Sequence, residues 1–103
     1  YRSYISGTGT IDADGKVGAI GGIKYKILAT GRYGARYFLA PKENCDSIVK
    51  MQAQDPDLFN YYHAGQVRGT MVVVPVSTLD EAVKTVEAIK SGTPDDSLPR
   101  CGS

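Results

Sequence analysis

Gly21-Gly22-Ile23-Lys24-Tyr25-Lys26 is the stretch of this sequence best equipped for chemistry. Two glycines, then two lysines two residues apart, set a cation in the first turn or so of a helix. That is the wrong end for a cation, because a helix N-terminus carries partial positive charge and disfavours an ammonium. Withdrawal from water disfavours it further. Both effects favour the neutral amine that a lysine needs to act as a general base. Gly21 and Gly22 would also let a substrate or another backbone pass close to the helix start. Residue type alone does not separate Lys24 from Lys26, and a lysine at a helix start is more often simply solvated.

Other candidates are weaker. Gly7-Thr8-Gly9 fails as a dinucleotide fingerprint, because Asp12 stands where the third glycine belongs. His63, the single histidine, lies in a polar stretch and reads as a surface residue. Ser3 and Ser6 fall on an extended segment and match no nucleophile motif. Asp12 and Asp14 read as turn carboxylates, with a small-ligand enzyme built on them a distant possibility. Cys45 and Cys101 without clustered histidines make a poor metal site, so neither metal nor cofactor is expected. Two readings of the cysteines stay open. They are unrelated buried thiols, or they form one disulfide that fixes the Pro- and Gly-containing tail. Closing so long a loop adds about 4 kcal/mol in the chain-entropy model, and it implies an oxidising compartment.

Elements that could position Lys26 follow from the pattern. Residues 4–12 read as an extended segment with close backbone approach or a bulge at Gly7 and Gly9. Ala13-Asp14-Gly15 is a turn, after which Lys16–Ile20 returns as a short strand. Ile23, Ile27 and Leu28 form a helical stripe from about Gly22 to Tyr33, ended near Gly31 and Gly34. Ala35–Ala40 is a buried strand stopped by Pro41. A second helix runs from Glu43 to about Gln52 with Cys45, Ile48, Val49 and Met51 inward. Residues 55–68 read as a long polar and aromatic excursion with one helical turn. Met71–Val76 is a strand, and Thr78 with Glu81 is a capping box opening a last helix that runs to about Lys90. The expected class is α/β (α+β): a mixed β-sheet layered with about three helices, in the order β-β-α-β-α-β-α.

Composition narrows the partners. The chain of 103 residues has 12 basic and 11 acidic side chains, interspersed, so it offers no basic patch for nucleic acid or an anionic membrane surface. Its longest apolar run, Met71 to Val76, is far too short to cross a bilayer. The first residue is Tyr1, so an upstream leader or anchor stays open.

The whole string is more telling than its parts. Gly7-Thr8-Gly9-Thr10-Ile11-Asp12, Gly15-Lys16-Val17 and Ile20-Gly21-Gly22-Ile23-Lys24-Tyr25-Lys26-Ile27 together resemble the proteolytic domain of Lon-type serine–lysine peptidases. The resemblance implies that Lys26 is the catalytic lysine and that Thr8 hydrogen-bonds its amine. Gly34 to Asn44 looks like the family's next strand and its Pro-x-x-Asn turn, and Val74 to Ala82 like its final strand and helix. Within the family, Thr8 to Asp12 and Ala40-Pro41 followed by Asn44-Cys45 are most similar to actinobacterial members that lack an ATPase and follow a membrane anchor and a PDZ domain. These work outside the cytoplasm, in agreement with a Cys45–Cys101 disulfide.

On this resemblance, residues 1–91 are the C-terminal portion of a proteolytic domain, with 53–69 an inserted loop. Residues 92–103 are a tail tied by the disulfide. The family's serine, in a Ser-Ala-Gly or similar motif, has no match ahead of Lys26. The implied function is an ATP-independent serine endopeptidase to which this chain brings the lysine, with a peptide or protein as substrate. An upstream serine-containing segment and a PDZ domain are the implied partners, and the parent is expected to be extracytoplasmic and membrane-anchored. On this reading Lys26 is buried, bonded to Thr8 and faces a gap that admits a serine, and the 103 residues alone are inactive. The rival is a non-catalytic binding or assembly module on the same fold, pairing edge to edge with a partner or a second copy through its strands or its Asn60–Tyr62 loop.

Overall fold

The computed structural model describes residues 4–102. Ser3 lies outside them. The elements are β1 (Tyr4–Gly7), β2 (Thr10–Ile11), β3 (Val17–Gly18), α1 (Ile23–Arg32), β4 (Ala35–Pro41), α2 (Cys45–Gln54), β5 (Asn60–His63), β6 (Gln66–Thr70), β7 (Val72–Val76) and α3 (Leu79–Lys90). Three helices and both parallel and antiparallel pairing bear out the α/β class. The pairing is divided among three sheets: a parallel one in the order β1-β4-β7, and two antiparallel ribbons, β2-β3 and β5-β6. Among the described residues no helix is long and apolar enough to cross a membrane.

A parallel sheet must be covered on both faces, and its strands read as nearly unbroken apolar runs. Tyr37-Phe38-Leu39-Ala40 and Val72-Val73-Val74 are such runs, paired in register from Tyr37 opposite Val72 to Pro41 opposite Val76. Phe38, Ala40 and Val73 face a core built from Ile23 and Ile27 of α1, Ile48 of α2, and Leu58, Phe59 and Met71. Ile27, Phe38 and Ile48 are fully buried, each worth about 1.5–3 kcal/mol relative to exposure. The opposite face presents Tyr37, Val72 and Val74 to Leu98 of the tail and to Ala88 and Ile89 of α3.

Three expectations needed correction. The extended segment 4–12 is two strands in different sheets. The Thr8 amide bonds the carbonyl of Leu39 (3.1 Å) and ends the ladder with β4. At Gly9 a side chain would strike Val17, so the chain crosses to its hairpin partner there. The excursion 55–68 keeps its expected helical turn, a 3-10 turn at Pro56–Phe59, but continues as the β5-β6 hairpin rather than as irregular chain. Its two turn residues, Ala64 and Gly65, both have positive φ (52° and 75°), the geometry of a two-residue hairpin turn. Val49, expected inward on α2, is exposed; of the helix residues only Ile48 is buried.

Hairpin and helix are in close contact. Arg32 lies over the Tyr62 ring, 5.8 Å from its centroid. A side-chain carbon at Gly31 would run into the backbone of Asn60. The helix therefore abuts β5 with no space for a methyl group between them.

Candidate functional site

The β2-β3 turn leads into the lysine helix. Asp12 Oδ1 accepts from the amides of Asp14 and Lys16 (both 2.9 Å), which closes the turn around Gly15 (φ 80°). After β3 the chain is held by the residues that follow β4. Asn44, the one buried polar side chain among the described residues, grips Ile20 twice. Its Nδ2 donates to the carbonyl of Ile20 and its Oδ1 accepts from the amide of Ile20, both at 3.2 Å. Glu43 Oε2 accepts from the amide of Ala19 at 3.3 Å. Gly21 and Gly22 then release the chain into α1.

Gly22 is the N-cap of α1, with φ 67° and no side-chain cap, a conformation glycine adopts without steric cost. A Cβ at Gly21 would meet nothing within 4 Å, so the approach to the helix start is open. No acidic residue lies in the first turn to offset the helix dipole. Lys26 closes that turn, with its amide on the carbonyl of Gly22 at 3.3 Å.

The expectation of a buried Lys26 bonded to Thr8 is corrected. Lys26 is exposed, and among the described residues no hydrogen bond joins it to Thr8. The reason is helical phase. Ile23, Ile27 and Gly31 face inward, and at roughly 100° per residue Lys26 falls on the flank of that stripe. Thr8 is half-buried in the link between β1 and β2. It lines a cleft of about 280 Å³ with Gly7, Gly9, Ile11, Val76 and Leu79. Lys26 is not among the residues of that cleft.

Cys45 and Cys101 are joined in a disulfide, their Cα atoms 5.1 Å apart, which fixes the tail to the start of α2. Asp95 anchors the same tail to β4. The Tyr37 hydroxyl donates to its Oδ1 at 2.6 Å and Arg36 Nη2 to its Oδ2 at 2.8 Å. Arg100 Nη2 donates to the Asp95 carbonyl at 3.0 Å. The Tyr37 hydroxyl, followed by Arg36, holds the Asp95 carboxyl below the usual carboxylate range, against the opposing effect of burial. Tyr37 is pushed up, chiefly by burial and then by its bond to Asp95.

Sequence reasoning named Thr8, Gly21, Gly22, Lys26 and both cysteines as candidates but gave Asn44 no role of its own. The signal available was a polar residue in the turn between a buried strand and a helix, where a side chain most readily satisfies neighbouring backbone.

Among known families, the Lon protease (S16) C-terminal proteolytic domain matches residues 1–88. Similar proteins include a Lon protease of Chloroflexus aggregans, 35% identical over 83 residues, which are 81% of this chain and 9% of that protein. A Lon protease of Azospirillum brasilense is 36% identical over 83 residues, with the same 81% and 9% shares. An archaeal Lon protease of Methanocaldococcus jannaschii is 32% identical over 79 residues, 77% of this chain and 10% of that protein. The chain thus spans about a tenth of the length of the curated relatives it matches. No solved structure gives a significant match.

Proposed function

The chain belongs to the Lon protease (S16) C-terminal proteolytic domain family, and we propose that it supplies the lysine half of a serine–lysine endopeptidase site. The observation that carries this reading is the open start of α1. A lysine ends a first turn that has no acidic residue, behind a left-handed glycine cap and an unobstructed Gly21. The family match runs through all of these positions.

In this mechanism the serine is contributed by a segment outside these residues. Lys26 Nζ takes the proton from the serine Oγ as that oxygen attacks the peptide carbonyl. The ammonium then returns the proton to the departing amine, leaving an acyl-enzyme. A water attacks the ester, Lys26 accepts its proton and passes it back to the serine oxygen, and the acid product leaves. Thr8 orients the amine once the serine segment is seated. Because Lys26 is exposed here, seating that segment is also what withdraws the amine from water, the condition in which a lysine works as a base. The reaction needs no nucleotide, and the parent is read as an ATP-independent, PDZ-linked protease outside the cytoplasm. The Cys45–Cys101 disulfide supports an oxidising compartment.

The test is peptide hydrolysis by the full gene product that carries this chain. Lys26→Ala is expected to lower the rate by ~10²–10⁴-fold and Thr8→Val by less. The 103 residues alone are expected to be silent. Undiminished hydrolysis by the Lys26→Ala protein would falsify the dyad. The rival reading, a non-catalytic assembly module, draws on the edge strand β1, which among the described residues pairs on one side only.

A further inference from the structure

Both ends of the buried Asn44 amide are bonded to one residue, Ile20. Ile20 stands directly before Gly21 and Gly22. No side chain caps α1, and glycine gives the two linking residues the widest choice of backbone angles. The bonds from Asn44 thus hold the chain just ahead of the cap of the lysine helix. From there the hold passes through backbone. The Gly22 carbonyl accepts from the amides of Tyr25 at 3.1 Å and Lys26 at 3.3 Å, so the direction of that carbonyl sets the turn on which Lys26 stands.

Asn44 is itself braced on both sides. It ends a 3-10 turn, Lys42–Asn44, that leaves β4 at the fully buried Pro41, which pairs with Val76. On its other side Cys45 is bonded to Cys101, and Cys101 packs on the same core as Ile20, Ile23 and Ile27. Glu43 adds a bond to the amide of Ala19 at 3.3 Å. A turn fixed at both ends has little freedom to follow a displaced neighbour.

Resting on the reading given under Proposed function, we infer that Asn44, braced by the Cys45–Cys101 disulfide, is a positioning residue for the lysine of the serine–lysine site. It acts through the backbone and not on the reacting atoms. Asn44 fixes Ile20, Ile20 fixes where the glycine pair begins, and the cap carbonyl of that pair fixes the first turn. Ile23 and Ile27 anchor the inner face of the helix by apolar contact, which is non-directional. The paired hydrogen bonds supply the direction that contact lacks. The disulfide keeps the start of α2, and Asn44 with it, from drifting away from Ile20. Rates respond at this scale, since a misplacement of about 1 Å by a change far from the chemistry can cost about 10²-fold.

Two assays on the full gene product test the inference. The first is hydrolysis of an activated ester, whose residual rate stays measurable without a base, by Asn44→Ala, by Lys26→Ala and by the two combined. Asn44→Ala should lower the rate by about ten- to 10²-fold with Lys26 present. With Lys26 absent it should lower it by less than about twofold, because the residue it positions is gone. A merely structural loss carries through both backgrounds alike, so equal losses overturn the inference. The second assay is hydrogen exchange of peptides covering residues 20–26, at a temperature where every variant is folded. The amides of Tyr25 and Lys26 should exchange faster in Asn44→Ala, as local opening becomes easier. Replacing Cys45 and Cys101 together by serine should move them in the same direction by less. Asp95→Asn, which loosens the tail at Tyr37 on the opposite face of the sheet, should leave them unchanged. Unaltered exchange in Asn44→Ala overturns the inference, as does equal acceleration by Asp95→Asn. Unaltered exchange in the serine variant overturns the role given to the disulfide. Asn44→Asp keeps an acceptor for the Ile20 amide and loses the donor to its carbonyl, and it takes the place of Asn44→Ala in both assays if that variant does not fold. Undiminished hydrolysis by Lys26→Ala with faster exchange in Asn44→Ala defeats the dyad and leaves the hold on α1 standing. Lost hydrolysis by Lys26→Ala with unaltered exchange in Asn44→Ala does the reverse.

Discussion

The region around Asp95 and Cys101 and the region around Thr8, Lys26 and Leu79 lie on one small domain but are finished to different degrees. In the first, the tail is tied covalently at Cys101, bonded at Asp95 by Tyr37 and Arg36, and packed at Leu98. In the second, Lys26 and the apolar side chains of Leu79 and Val83 face water. On the proposed function, the difference separates residues that hold this chain together from residues that work only with the serine segment. Substitutions in the first region should cost stability whatever else is bound. Those in the second should be nearly silent in the isolated chain and severe once the site is complete.

The largest effect is expected at the disulfide. Replacing Cys45 and Cys101 together by serine should lower stability by about 2–4 kcal/mol, read as a fall in Tm without reductant. An unchanged Tm would mean that the tail contributes nothing the rest of the fold lacks. Asn44 comes next, and it connects the two regions. Asn44→Leu leaves the amide and carbonyl of Ile20 without their partners, at a cost of about 1–3 kcal/mol, measured by the urea midpoint. In the full gene product it should also depress hydrolysis, since Asn44 aims the segment that enters α1; stability loss with no change in rate would confine it to the first region.

Asp95 gives a pH signature. Its carboxyl titrates lower in the folded chain than in the unfolded one. Its stabilising effect is therefore complete above the ordinary carboxylate range and fades as pH falls through the lower folded-state value. Asp95→Asn should cost about 1 kcal/mol at neutral pH and flatten the acid limb of a stability-versus-pH curve. An acid limb of undiminished slope would assign that dependence to other carboxylates. The smallest effect is expected at Lys26. In the 103-residue chain Lys26→Ala should change stability by less than about 0.5 kcal/mol, and a larger loss would show that the amine already holds structure.

What the sequence revealed tracks where local chemistry decides. Helix α3 was readable because Thr78 caps it, accepting from the amide of Glu81 at 3.0 Å, and because its apolar residues keep helical spacing. Strand β4 was readable from Tyr37-Phe38-Leu39 and the stop at Pro41. The β5-β6 hairpin was not, because Ala64-Gly65 lacks the Asn-Gly or Asp-Gly that announces such a turn, and Asn60-Tyr61-Tyr62-His63 shows no clean alternation. At the candidate site, Gly22 and Lys26 were legible as types in order. Whether the amine is covered depends on what packs beside α1, which no spacing within these residues encodes.

The contact at Gly31 ties that missed hairpin to the lysine. With helix and β5 touching backbone to backbone at Asn60, there is no compressible layer between them to absorb a displacement. Hairpin and helix are therefore expected to shift as one body, and Lys26 stands near the start of that helix.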